Sequence, residues 1–308
     1  MKLHIDTDIG GDIDDLCALA LALKWPDAEI VGVTTVAEHE GRRAGYVRRV
    51  LELAGRTDVA VAAGADASGG FYREFPLLPK REEDYWPGGV DSYPTPLEEA
   101  LELLERSMRE GATLCAIGPY TNLALLERRS PGALREARVC VMGGFVYAPR
   151  EGFPQWDYKR DYNVQVDVES AHVVFNSVES PTLVTLAVTA ETALRRSQLD
   201  ALKNGDALAR LVATQAEVYA ETEHRAAEYA RSYAKLPEDF INYQHDPLAC
   251  AVALGWNEGI EAEELPLKSS IEDGWLVQRV EEGGRPVKVV TRVDGRAFDD
   301  LWLRTVTR

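Results

Sequence analysis

Between residues 6 and 15 the chain carries five aspartates in ten positions, Asp6-Thr7-Asp8-Ile9-Gly10-Gly11-Asp12-Ile13-Asp14-Asp15. They fall between a strand-like segment, Lys2–Thr7, and an apolar helical one, Asp15–Trp25, which Pro26 closes. One acidic residue at a helix start is ordinary, because it accepts from free N–H groups and complements the dipole; that covers Asp14 or Asp15. It does not cover five. Carboxylates held that close repel one another and resist ionising unless a cation neutralises them. Their hard oxygens suit Ca²⁺ or Mg²⁺, and the larger Ca²⁺ tolerates the irregular geometry of a loop. Gly10-Gly11 does not read as a phosphate cradle: it has no Walker lysine and no G-x-G-x-x-G, and its acidic neighbours would repel phosphate.

A second candidate cluster is His245-Asp246-Pro247, just before an apolar helical segment. Asp246 there reads as an N-cap with Pro247 at the first helical position, which is compatible with metal ligation. His245 would face the same site, as a proton donor or leaving-group contact, or pack as a structural histidine. His4 and His172 have no partner pattern and read as structural. His224 shares a polar helical stretch with Tyr219, Tyr229 and Tyr233, whose spacing is that of a half-buried face.

The elements that must position these residues alternate strand and helix. After Lys2–Thr7 come strands at Glu29–Val36, Asp58–Ala62, Ala112–Ile117, Arg138–Met142 and Thr182–Val188. Helical patterns cover Glu40–Ala54, Pro96–Arg109, Thr121–Arg129, Val168–Asn176, about Asp206–Ala234, a stretch from Asp246, and Phe298–Arg304. Irregular stretches at about Ala65–Pro94 and Phe145–Gln165 interrupt them. From about Leu265 to Val293 the pattern is hairpin-like, turned at Gly283-Gly284. This predicts a Rossmann-like open α/β fold: a mostly parallel central sheet flanked by helices, with a small C-terminal β-hairpin region. No linker, repeat or charge block divides the chain, so residues 1–308 are expected to form a single domain. In such sheets ligands bind beyond the carboxyl ends of the strands, where the unusual residues cluster.

With 34 Lys and Arg against 51 Asp and Glu, the formal charge is −17, which repels nucleic-acid backbones and argues against a nucleic-acid partner. No apolar run is long enough to span a membrane, and no leader pattern precedes Lys2–Thr7. Cys17, Cys115, Cys140 and Cys250 each sit in an apolar segment and are expected to be buried thiols; the cytoplasm is the expected compartment.

The acidic loop resembles the signature of the inosine–uridine-preferring nucleoside hydrolase family, D-x-D-P-G-x-D-D followed by small apolar residues. Ile9 replaces the proline, and two residues are added within Gly11-Asp12-Ile13. Further segments are similar in order: Val33-Thr34-Thr35-Val36, Ile117-Gly118-Pro119-Tyr120-Thr121-Asn122, Met142-Gly143-Gly144, Asp161-Tyr162-Asn163 and His245-Asp246-Pro247. The resemblance implies Ca²⁺ held by Asp8, Asp15, Asp246 and the Ile117 carbonyl, with Asp8 as general base. It implies sugar contacts from Asp14, Met142 and Asn163, with Asp12 able to replace Asp14 or Asp15. It also implies a nucleoside-like substrate, a homodimer or homotetramer, and a region about the Tyr219–Tyr233 face that can fold over the base. Asp161 stands where the family has glutamate and His39 where it more often has asparagine; both are expected to contact substrate and to make inosine and uridine poor substrates. A non-catalytic calcium-dependent nucleoside- or sugar-binding protein is the alternative. The D-x-D of a haloacid dehalogenase phosphatase fits poorly, because Gly10 occupies that motif's Thr/Val position.

Overall fold

The computed structural model describes residues 1–308 except 74–77, 80, 223 and 224, with the side chains of 225–227 also excluded; His224 therefore lies outside the described residues. β-Branched runs form the centre of a nine-stranded sheet. In chain order the strands are β1 (Lys2–Thr7), β2 (Glu29–Thr35), β3 (Val61–Ala63), β4 (Thr113–Ala116), β5 (Arg138–Met142), β6 (Thr182–Val184), β7 (Ala193–Arg195), β8 (Phe240–Tyr243), β9 (Ile260–Glu272), β10 (Trp275–Val280) and β11 (Arg285–Val293). The large sheet runs β10-β9-β11-β6-β5-β4-β1-β2-β3, and β7 pairs with β8 in a separate antiparallel ribbon. From β3 to β11 every neighbouring pair is parallel; β9 runs antiparallel to both β11 and β10.

From β1 the chain moves outward through β2 and β3, then returns to the other side of β1 as β4. The strand order reverses there, opening a crevice beyond the carboxyl ends of β1 and β4. Adjacent side chains of β4 and β5 enter opposite cores: Leu114, Ala116, Val139 and Val141 face one, Cys115, Ile117, Cys140 and Met142 the other. Over the second face the helices Asp14–Lys24 and His245–Ala253 pack side by side, with their N-termini at the crevice. All four cysteines are buried and free. No described helix is long and apolar enough to cross a membrane.

Several elements differ from the sequence reading. The third strand is Val61–Ala63. The strand at Thr182 stops at Val184, and Leu186–Thr189 coils into one helical turn whose Thr189 reaches the site. The C-terminal hairpin turns at Asp273-Gly274, both at positive φ, and joins β9 to β10. Gly283-Gly284 instead lies between β10 and β11, which flank β9 on opposite sides. The polar stretch resolves into helices Ala207–Thr222 and Arg225–Ser232, and β7 and β8 are additional. The last helix is longer, Gly295–Val306, because Asp294 caps it by accepting from the Ala297 N–H at 3.0 Å.

Candidate active site

Thr7 ends β1 and shapes the loop that follows, accepting from the Ile9 N–H (3.2 Å) and donating to Asp15. Gly10 lies flat on Tyr46 at φ +119°; a Cβ there would stand 2.5 Å from the ring. Beneath the loop runs Arg43, fully buried, which donates from Nε to the Ala37 carbonyl (2.8 Å) and from Nη1 to the carbonyls of Asp8 and Ile9. Glu38 seats the start of the Arg42–Leu53 helix by accepting from the N–H groups of Arg43 (2.8 Å) and Ala44 (3.0 Å).

The five aspartates divide by role. Asp6 is structural: its Oδ1 accepts from Thr34 (2.5 Å) and from Asn122 (2.8 Å), which also bonds Thr35 and Ala65 and so knits β1, β2 and the turn after β4. Asp12 points to the mouth, where its Oδ1 accepts from Asn242 (2.5 Å) and its Oδ2 from the Tyr219 hydroxyl (3.4 Å). Asp14 and Asp15 open one helix and Asp246 the other; their carboxyl oxygens lie within 4.8 Å of one another, all buried. Burial raises all three well above the ordinary carboxylate range, and the neighbouring carboxylates raise them further. Asp8, packed against the backbone of Gly118, is raised by burial to about 6, with Arg43 opposing the shift.

Asp8, Asp14, Asp15, Ile117, Met142, Asn163, His245 and Asp246 line one cavity of about 520 Å³. Asn163 donates to the carbonyls of Ile117 (2.9 Å) and Met142 (3.2 Å) and to Met142 Sδ (3.3 Å), fixing the ends of β4 and β5 at the cavity floor. The Ile117 carbonyl retains a second lone pair. The residues fit a hard divalent cation: three buried oxygen donors, each resisting ionisation, meet at two helix N-termini.

Asp161 and His39 are not among the described residues lining the cavity. Asp161 is buried beneath it, where its Oδ2 accepts from the Gly144 N–H (2.6 Å) and its Oδ1 caps the Tyr162–Gln165 turn that carries Asn163. His39 is half-buried beside the Arg42–Leu53 helix, and its N–H donates to Glu38. The expected substrate contacts of Asp161 and His39, and the handicap to inosine and uridine expected from them, are therefore corrected: Asp161 is engaged by the Gly144 N–H and the turn, and His39 sits beside the helix. His4 is structural as expected, bonded to Ser107 (2.8 Å) and Thr34 (3.0 Å), and His172 sits beside Asn176.

The cavity is aromatic as well. Trp156, Tyr229, Phe240 and Tyr243 line it with His245, whose ring stacks on Tyr243 at 5.0 Å. His245 Nδ1 lies 2.6 Å from the Thr189 hydroxyl, and burial lowers its pKa to about 3, so the imidazole is neutral at working pH. Trp156, Phe240, Asn242 and Tyr243 were not anticipated from sequence. Arg43 was not either, although two arginines opening a helix oppose its dipole and are a local misfit that marks the position.

Buried carboxylates and stacked rings thus line one cavity. The sequence matches the family model for inosine–uridine preferring nucleoside hydrolases over residues 3–300. The chain belongs to that family. It is similar to pyrimidine-specific ribonucleoside hydrolases RihA: 29% identical to that of Salmonella paratyphi C (69% of this chain, 70% of the relative) and 30% to that of Enterobacter sp. strain 638 (82% and 79%). Its fold matches a plant nucleoside hydrolase, PpNRh1 (TM-score 0.78, 21% identity, 99% and 98% covered), and a purine-preferring ribonucleoside hydrolase from Gardnerella vaginalis (0.78, 19%, 100% and 98%). This nucleoside hydrolase is accordingly an enzyme acting on N-glycosyl bonds, of a metal-dependent family.

Two outcomes follow from the buried charges. Arg43→Met leaves three carbonyls without donors and is expected to cost about 3–5 kcal/mol in urea denaturation; a loss below about 1 kcal/mol would show that the loop holds itself. In metal-free protein the raised carboxylates bind more protons folded than unfolded, so stability falls as pH rises. The lowered pKa values of His4, His39 and His245 act in the opposite sense, but above about pH 7.5 these groups are mostly neutral in both states, leaving the raised carboxylates to set the slope between about pH 7.5 and 8.5. The melting temperature should drop across that window, and saturating Ca²⁺ should flatten the drop; a rise with pH would contradict the cluster's assignment.

Proposed function

We propose that the cavity hydrolyses the N-glycosidic bond of a ribonucleoside or related N-riboside, giving free base and free sugar with Ca²⁺ as cofactor. The observation that carries this reading is the convergence of Asp14, Asp15 and Asp246 in a cavity also lined by Trp156, Tyr229, Tyr243 and His245. By the family motif the ligands would be Asp8, Asp15, Asp246 and the Ile117 carbonyl, with Asp14 beside them; a divalent cation bound there would neutralise the carboxylates and make nearby water more acidic.

The chain's own residues supply the rest. C1′ becomes positive as its bond to nitrogen lengthens, and the surrounding carboxylates favour that charge. Asp8, half-buried beside the other carboxylates, takes the proton of the attacking water as its oxygen bonds to C1′. Asp14 grips sugar hydroxyls beside the ligand set, while Asn163 and Met142 form the floor. The base leaves as an anion towards the aromatic rings, where His245, neutral and held by Thr189 through Nδ1, can hydrogen-bond to it through the other ring nitrogen; solvent supplies the proton that completes the free base. The reading takes residues 1–308 as one domain, with the family match running through residues 3–300, and the enzyme as a homodimer or homotetramer acting in the cytoplasm.

Asp8→Asn at saturating Ca²⁺ is expected to lower kcat by roughly 10²–10⁴ with a much smaller change in KM. Chromatography of a nucleoside panel should show base and free sugar in equal amounts from the parental enzyme. Near-parental turnover by the variant would remove Asp8 from the base role. Chelation should abolish cleavage and Ca²⁺ restore it; full activity after chelation would end the metal assignment.

A further inference from the structure

The reaction proposed above makes no use of a cation in the cavity wall, yet one is there. Arg160 ends the short turn Tyr158–Arg160 and immediately precedes Asp161, Tyr162 and Asn163. Its exposed side chain lines the same cavity as the aspartates and the aromatic rings. Of the described lining residues it is the one arginine or lysine.

Nearby cations are engaged elsewhere. Lys159 lies over the rings of Tyr158 and Trp275, Arg73 stacks on Trp275, and Arg150 pairs with Glu191. The guanidinium of Arg160 has no ion pair, side-chain hydrogen bond or ring contact among the described residues. This holds although five aspartates share its cavity; the oxygens of Asp12, at the mouth, are taken by Asn242, Tyr219 and the Ile13 N–H. A guanidinium fork offers paired donors in the geometry that a phosphate or carboxylate accepts. A neutral nucleoside would leave it solvated.

We infer that Arg160 recognises an anionic group on the substrate, so that the preferred N-riboside carries a phosphate or a carboxylate. The inference rests on the N-riboside hydrolase reading. In a chain of net charge −17, such a substrate is repelled except where a fixed cation receives it. Two sources share this chemistry: a phosphate on the sugar's 5′ oxygen and a carboxylate on the base.

The test uses the full chain with saturating Ca²⁺ and measures kcat/KM for uridine, inosine, their 5′-monophosphates and orotidine, for the parent, Arg160→Gln and Arg160→Glu. An anionic substrate should exceed its neutral counterpart by at least about tenfold in the parent. Arg160→Gln should cut that ratio by about 10- to 100-fold, the range of one charged hydrogen bond, and Arg160→Glu should invert it. Preference for the monophosphates assigns the phosphate, and preference for orotidine assigns the base carboxylate; either supports the inference. Because the ratio is taken within one protein, partial unfolding of a variant cancels. Neutral nucleosides cleaved at least as well as every anionic one, or a ratio unmoved by Arg160→Gln, would overturn the inference while leaving the hydrolase reading intact. No cleavage of any substrate by the parent would overturn both.

Discussion

Three carboxyl groups buried within 4.8 Å of one another cannot all ionise unless something positive joins them, and much of the architecture serves to hold them there. Two helices bring their N-termini together over the crevice where strand order reverses, so backbone N–H groups face the cluster from both sides. The dipoles reduce the repulsion without removing it, as the raised pKa values of Asp14, Asp15 and Asp246 show. The remaining charge is the driving force for a divalent cation, and the neutral form of the cluster is its alternative when no cation is present.

The loop that carries Asp8 is irregular, so it depends on side chains for its shape. Arg43 supplies three donors from below, Thr7 ties the loop to Asp15, and Gly10 lets it lie against Tyr46. Asn163 does the equivalent work across the cavity by fixing the carbonyl ends of β4 and β5, and Asp161 holds the turn from which Asn163 projects. These buried polar contacts convert a strand-end crevice into a floor of defined donors and acceptors.

The parallel sheet and the acidic cluster were legible in the sequence because both leave periodic or local signals: β-branched runs between helical patterns, and five aspartates within ten residues. The small β7–β8 ribbon was not, since Phe240–Tyr243 is too short to show a period and lies beside a polar helix. Its absence from the sequence reading hid the aromatic wall. Asp161 shows a different limit. Its motif placed it correctly beside Asn163, but no sequence pattern says whether a carboxylate faces the cavity or caps the turn beneath it. Asp12 could be placed only once Asn242, 230 residues away, was seen to hold it.

The cavity thus joins a site for hard cations to a site for planar rings, the two recognition problems that an N-riboside presents. On the proposed reading, catalysis requires a cation within the carboxylate cluster. That requirement is tested most directly by titrating Ca²⁺ into metal-depleted protein while following bound calcium, by elemental analysis, and nucleoside cleavage in the same samples. One tightly held calcium per chain, cleavage proportional to occupancy, and loss of both in Asp246→Asn are expected. Cleavage at the full rate in samples holding less than about a tenth of an equivalent of metal would contradict that requirement.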